Sequence, residues 1–431
     1  MGLLLYITNH DIMTTIIKKR HGAEKKLMRQ GVVLKTHQKT AIKWMVEKER
    51  CQEPYGGIIT DEMGLGKTLE VIGLLLESPK EKTLIIVPAS LIAQWKSEFA
   101  KFAPKLDISS DRKNCESCSI FITSYAMAFT NTKLYYQILW DRLILDEAHY
   151  IRNAKCKTFK RLKELRAKHK WCLTGTPIHN GWGDIASLFS LIGFDYNKNV
   201  RIIIPRVETH VLHRTKNEVD IFLPKIINET IDIPIGGEEE RYGRVTEYHP
   251  IHLVRLLRAR QFAIMPQMAI KNMKDESNPT NPKLDSLIKS LVDSQTTEKP
   301  IVFCHFREEI AYLETGLIKK GILCAVIHGG VAMHTRRPLI DRHETYHVLV
   351  IQLQAGSVGL NLQMFDTVYF SGPHWNPTHE QQAIARVHRI GQTKTVTVKK
   401  FIMDKTIEKR ILKVQNHKIQ KAKEIYTGIE D

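Results

Sequence analysis

Short, continuous runs of apolar residues punctuate this chain, with helical patterns between them. One series comprises Gly57 to Ile59, Leu84 to Val87, Ile120 to Ile122, Leu143 to Leu145 and Trp171 to Leu173. A second comprises Ile301 to Cys304, Leu323 to Ile327, Val348 to Ile351, Val368 to Phe370 and Val396 to Ile402. Continuous rather than alternating apolarity marks strands buried on both faces, as in a parallel sheet covered by helices. Two such series predict an α/β fold with two lobes, at 34–192 and 291–431, with a helical linker or insertion over 193–290. In that middle stretch, Gly236-Gly237 reads as a turn before a charged helix. Ile251 to Ile264 reads as an apolar helix with arginines, and Lys274 to Pro282 as a polar linker.

Residues 1–33 form a basic leader, either a helical arm or disordered, and Thr406 to Tyr426 a basic amphipathic helix. Lys and Arg number 64 against 46 Asp and Glu over 431 residues, a net charge of +18 that calls for a polyanionic partner. No apolar run approaches the length of a membrane span. Gly2 to Ile7 is too short for a signal peptide and lacks a preceding basic region, and Tyr6 occupies the place where a myristoylation signal has Ser or Thr. Seven scattered cysteines argue against a secreted disulfide scaffold and for an intracellular protein.

The first strand runs into Asp61-Glu62-Met63-Gly64-Leu65-Gly66-Lys67-Thr68 and then into a helix. Glycines allow a tight turn whose N–H groups converge on an anion, and the helix N-terminus adds partial positive charge. Lys67 would reach the outer phosphates of a nucleotide and Thr68 would ligate Mg²⁺. Asp61 stands where the textual phosphate-loop pattern has Gly.

Asp146-Glu147-Ala148-His149 follows the fourth strand, at the carboxyl edge where α/β sheets collect ligands. Asp146 is placed to hold Mg²⁺, and Glu147 to orient and deprotonate a water. Alone, these acids read equally well as a helix start; the phosphate loop upstream favours catalysis. Leu173 to Asn180 (LTGTPIHN) ends another strand. Its hydroxyls could sense nucleotide state, or form a simple turn.

These segments resemble the superfamily-two helicase-like ATPases, and within them the Swi/Snf-type chromatin-remodelling and DNA-translocase family. The resemblance rests on DEMGLGKT at 61–68, VPASLIAQW at 87–95, DEAH at 146–149, LTGTPIHN at 173–180 and RVHRIGQ at 386–392, with Trp375-Asn376-Pro377 before the last. It covers about 34–425 and is similar to the subgroup of helicase-like transcription factor and transcription termination factor two. It is also similar to the short global transactivators of insect large DNA viruses.

The resemblance implies two RecA-like lobes, ATP and Mg²⁺ as cofactors, and Gln38 as the adenine contact. It also implies Arg386 and Arg389 as arginine fingers from the second lobe, on one helix face by their spacing. Gln392, grouped with the nucleotide-contacting residues, would couple nucleotide state to lobe closure. Duplex DNA, nucleosomes or transcription machinery, and a nuclear location (the host's if the chain is viral) follow from the same family. Gly372 and Ala385 stand where the subgroup usually has Asp, and Gln354 and Ser357 replace a basic residue and Gly; these departures put lobe coupling in doubt. The zinc-binding RING module common in the subgroup cannot form between 181 and 300, which hold no cysteine. Cys115 and Cys118 read as two reduced thiols.

Basic residues cluster at Lys155 to Lys170 and Lys394 to Lys423, flanking the motor motifs. They fit sequence-independent phosphate contacts. The reading is a DNA-stimulated ATPase that translocates on duplex DNA in transcription or chromatin access. A strand-separating helicase and a nucleotide-gated scaffold with little hydrolysis are the alternatives.

Overall fold

The computed structural model describes residues 24, 26–27, 31–51, 53–175, 181–219, 223–247, 250–270, 279–294, 298–356 and 360–427. Most of the basic leader, residues 176–180 of the third segment, Ser357 and most of the Lys274–Pro282 linker lie outside them. The described chain forms two compact units that divide between residues 219 and 223, except that residues 63–65 and 181 group with the second.

The first unit is built on Gly56–Ile59 (β1), Thr83–Val87 (β2), Ile108–Ser109 (β3), Ile120–Ser124 (β4), Trp140–Asp146 (β5), Ala167–Leu173 (β6) and Val211–Leu212 (β7). Their order is β3-β4-β2-β5-β6-β1-β7, with every neighbouring pair parallel. Strands β1, β2 and β4 are buried at every residue, which is why they read as unbroken apolar runs. Helices Thr36–Arg50 and Lys67–Glu77 meet closely at Gly73, where a Cβ would come within 2.2 Å of Ile42 Cδ1.

The second unit is built on Ile226–Ile233 (β8), Pro300–Cys304 (β9), Cys324–Ile327 (β10), Val348–Gln352 (β11), Thr367–Phe370 (β12) and Val396–Met403 (β13). Their order is β10-β11-β9-β12-β13-β8, again all parallel. Alternate residues of β9 serve two cores. Val302 packs with Leu284, Leu287 and Leu313 from helices Pro282–Asp293 and Arg307–Lys319. Ile301 and Phe303 pack with Ala383 and Val387 from helix Pro377–Val387.

The stretch expected as a helical insertion divides between the units. Helix Val200–His210 and β7 complete the first; β8 and helices Glu239–Glu247, His252–Ile264 and Pro266–Ile270 belong to the second. Among the described residues, no helix is long and apolar enough to cross a membrane.

Candidate ATP site

Strand register assembles the first-unit motifs. Asp146 pairs with Leu173, Leu173 with Ile59, and Ile59 with Leu212, so β5, β6, β1 and β7 end on one line. Neighbouring strands lie about 4.8 Å apart, which puts Asp146 and the last residue before the phosphate loop about 10 Å from each other. The loop, the acidic pair and the third segment therefore open from the same edge, the ligand-binding edge of an α/β sheet.

In the loop, Gly64 and Gly66 both have φ near 95°, a left-handed conformation that only glycine adopts freely. Gly66 caps helix Lys67–Glu77. Lys67 folds its ammonium back onto the loop, donating to Asp61 O at 2.5 Å and Glu62 O at 3.4 Å. Gln38 is buried against the loop: its Nε2 lies 2.6 Å from where a Cβ on Gly66 would be, and its Oε1 accepts from Lys35 N. The expected adenine contact and the phosphate loop are thus neighbours. Asp61 turns its fully buried carboxylate away from the loop's anion side, toward Arg214. Only its backbone is left to face a phosphate.

Asp146 is held from two sides: Trp95 Nε1 donates to Oδ2 at 2.8 Å and Glu147 N donates to Oδ1 at 2.9 Å. Tyr125 donates its hydroxyl to Asp146 O. Burial, and then the charge of Glu147, push the Asp146 carboxyl up to about 6, and the Lys67 charge acts in the opposite sense. A buried carboxylate disfavoured in this way gains from a cation. Together with Thr68 of the phosphate loop it would offer two hard oxygen donors suited to Mg²⁺, which would neutralise phosphate charge there. Glu147 has φ near 50°, an uncommon conformation for a side-chain-bearing residue, and its Oε2 lies 3.1 Å from His149 Nδ1. His149 Nδ1 in turn lies 3.4 Å from Thr174 Oγ1, so the acidic segment touches the third segment.

In the second unit Arg386 lies in helix Pro377–Val387, but the helix ends before Arg389. The expectation of both arginines on one helical face is corrected. His388 leaves helical geometry and bonds Pro224 O through Nε2, and the chain turns at Gly391 with φ near 104°. Arg389 therefore sits on a turn. Gln392 holds that turn: Nε2 donates to Gln363 O and Phe365 O at 3.0 Å, while Oε1 accepts from Thr393 N and Lys394 N. Its amide is engaged within the second unit by bonds at both its nitrogen and its oxygen.

The departure at Gly372 has a local cause, since a Cβ there would lie 2.6 Å from Glu408 Oε1. That carboxylate takes both Oε atoms to Lys283 Nζ at 2.6 Å, a pair buried completely. Above it, His305 accepts from Arg260 at Nδ1 and faces Gly372 O at Nε2, so the ring is neutral with its proton on Nε2. None of Arg260, Lys283 or His305 belongs to a short motif, and only the fold brings them together. The same holds for Trp95, noted before only as part of a diagnostic stretch.

Lys155, Lys157, Lys160, Lys163, Arg166 and Lys168 are exposed on the first unit. The second basic run differs: Lys394 pairs with Asp366, Lys399 with Glu298, Lys400 with Glu380 and Lys409 with Asp232 and Asp404. Much of its charge is matched inside the unit. Cys115 and Cys118 are buried thiols, and burial pushes Cys115 up to about 11.

The SNF2-related domain model matches residues 37–202 and the helicase conserved C-terminal domain model residues 282–391. The chain is 30% identical over 444 aligned residues to an uncharacterized ATP-dependent helicase of Mycoplasma genitalium, covering 92% of this chain and 42% of that protein. It is 27% identical to a probable global transactivator of Orgyia pseudotsugata multicapsid polyhedrosis virus, covering 90% of this chain and 91% of the viral one. Among solved structures, a Sulfolobus solfataricus SWI2/SNF2 ATPase core in complex with dsDNA shares 24% identity at a TM-score of 0.42, covering 92% of this chain and 94% of that one. The chain spans about two fifths of the length of the Mycoplasma relatives it matches.

The fold is two RecA-like parallel α/β units, the first carrying a phosphate loop and an acidic pair on one sheet edge. The two domain matches fall on those units in order, and the chain carries an SNF2-related domain followed by a helicase conserved C-terminal domain.

Proposed function

We propose that this chain is a DNA-stimulated ATPase that moves along duplex DNA. The observation that carries the reading is the shared register of Asp146, Leu173 and Ile59, which brings acid pair, third segment and phosphate loop to one edge. The loop amides and Lys67 bind the phosphates, Gln38 reads the adenine, and Glu147 takes the proton of the attacking water. Thr68 and Asp146 hold Mg²⁺, which neutralises phosphate charge when bound. Arg386 and Arg389 neutralise charge developing on the γ-phosphate. Gln392 keeps the Arg389 turn in place, so its contribution to nucleotide coupling is indirect.

The exposed lysines between 155 and 168 suit a phosphate track without base reading. Strand separation is the weaker reading. Between Leu362 and Gln381 the second unit holds one strand, β12, and a loop that passes directly into helix Pro377–Val387, with no hairpin to act as a wedge. The names of the viral relative, a probable global transactivator, and of a CHD3-type chromatin-remodeling factor of Arabidopsis thaliana support a role in transcription or chromatin access, in the nucleus of a host cell if the chain is viral.

ATPase rates without nucleic acid, with duplex DNA, with single strands and with RNA test the reading side by side. Duplex should stimulate most, and binding should fall by ~0.9 log units per log salt for each phosphate contacted. ATP-dependent displacement of a triplex-forming third strand without release of a strand from a tailed duplex is the expected outcome. Robust duplex unwinding promotes the helicase reading.

A further inference from the structure

From the end of β7 onward, alternate residues Leu212, Arg214 and Lys216 are fastened to the start of the phosphate loop. Thr60 N donates to Leu212 O at 2.8 Å and Glu62 N to Arg214 O at 2.9 Å, extending the β1–β7 pairing into the loop itself. Lys216 N donates to Glu62 Oε2 at 2.8 Å, and Lys216 Nζ lies 3.4 Å from Glu62 Oε1. Between them stands Arg214. Its Nε donates to both Asp61 carboxylate oxygens at 3.1 Å, its Nη2 to Asp61 Oδ2 and to Glu70 Oε1, and its Nη1 to His37 O. Asp61 and Glu70 are fully buried.

One guanidinium thus ties three parts of the nucleotide pocket: the backbone beside Gln38, the first residue of the phosphate loop and the helix that follows it. A planar fork with five donors can do this, and a lysine cannot. The chain leaves the first unit only a few residues after Lys216.

We infer that Leu212 to Lys216 is a strap that sets the phosphate loop for ATP, with Arg214 as its positioning residue. The inference rests on the loop being the ATP site. Arg214 is committed to Asp61, Glu70 and His37 O: it fixes the Asp61 carboxylate inward, so that the loop presents its backbone rather than a carboxylate to a phosphate.

The test uses the full chain with MgATP and duplex DNA. Arg214→Lys keeps the charge and loses the fork; it should raise the KM for ATP by about ten- to a hundredfold, while kcat at saturating ATP stays within a few fold. Arg214→Met leaves two buried acids without their partner and can fail to fold, so it is paired with Glu70→Gln, which removes one of them. In that double variant, restored thermal stability with a KM still raised supports the strap. A merely structural role predicts the reverse: kcat per total protein falls, KM is unchanged, and the double variant is indistinguishable from wild type. Lys67→Ala is the reference for the site. If Lys67→Ala abolishes turnover while Arg214→Lys keeps the wild-type KM, the strap is refuted and the ATP site stands. If Lys67→Ala is itself without effect, the assignment of the loop fails.

Discussion

Trp95 donates its indole N–H to Asp146 Oδ2 at 2.8 Å, both side chains buried at the carboxyl edge of the first sheet. This bond leaves one carboxylate oxygen committed and favours the ionised form that a metal requires. Trp95→Phe preserves the packing and deletes the donor. The Mg²⁺ concentration for half-maximal ATPase activity should rise about tenfold, with little change in thermal stability. A Mg²⁺ titration identical to wild type removes Trp95 from the site.

Glu147→Gln should bind ATP with near wild-type affinity and lose hydrolysis, because the amide keeps the shape and cannot accept a proton. Lys67→Ala should weaken binding itself. Equilibrium binding of a fluorescent nucleotide and release of phosphate separate the two effects, and wild-type turnover by Glu147→Gln would show that another group is the base.

Arg386→Ala and Arg389→Ala should each lower turnover by orders of magnitude, since arginine fingers contribute ~10³–10⁵ in well-studied hydrolases. Loss of ATP affinity should be modest. Because Arg389 sits on a turn held by Gln392, Gln392→Ala should follow the same pattern with a smaller effect. Unchanged turnover in both arginine variants contradicts the role given to the second unit.

Two groups of the first unit lose their stabilising contribution as the pH falls. Burial pushes the His169 imidazole down to about 4 from 6.5. The unfolded chain therefore binds a proton that the folded one refuses, and stability falls as pH drops from 6.5 toward 4. Burial alone would raise the Glu49 carboxyl, but the bidentate Arg142 contact at 2.5 Å and Trp171 outweigh it and hold it below 4.5. Its stabilisation is present above 4.5 and is lost as pH falls through the lower, folded value. The raised carboxyls of Asp146 and Glu70 act in the opposite sense, so the test is the difference between variants: between pH 7.5 and 5 the urea midpoint of His169→Gln should rise relative to wild type, and an unchanged difference removes His169 from the balance.

A fragment covering 223–431 should fold alone, whereas one starting at 291 should not. The shorter piece lacks β8, which pairs with β13 from Ile226 to Ile233, and lacks Arg260. Circular dichroism and a cooperative melt distinguish them, and a cooperative melt from the shorter piece shows that β8 is dispensable.

The ten strands expected from apolar runs all form: most are buried between helices and need no partner information to be recognised, and β10, half-buried at the edge of its sheet, still keeps an apolar run. Strand β8 was illegible: Ile226–Ile233 reads IINETIDI, is mostly exposed, and lies at a sheet edge where one face and one flank are free of packing demands. The phosphate loop and acidic pair were legible because their chemistry is local in sequence. Arg214 was not, since its partners Asp61 and Glu70 lie 153 and 144 residues away. The face shared by Arg386 and Arg389 was misread because a spacing of three implies a common face only if the helix continues, and His388 ends it.

The position of β1 inside the first sheet bears on how the chain is made. β1 carries the phosphate loop, yet its neighbours β6 and β7 begin at Ala167 and Val211, more than a hundred residues later. At ~5–20 residues per second of synthesis, an emerging β1 waits several seconds or longer for any flank to pair with. During that interval a fully apolar strand is held in solution beside the segment destined to grip ATP. Nascent chains of this protein are accordingly expected to engage holding chaperones until residue 212 has cleared the ribosome, and nucleotide can first assist folding only after that point.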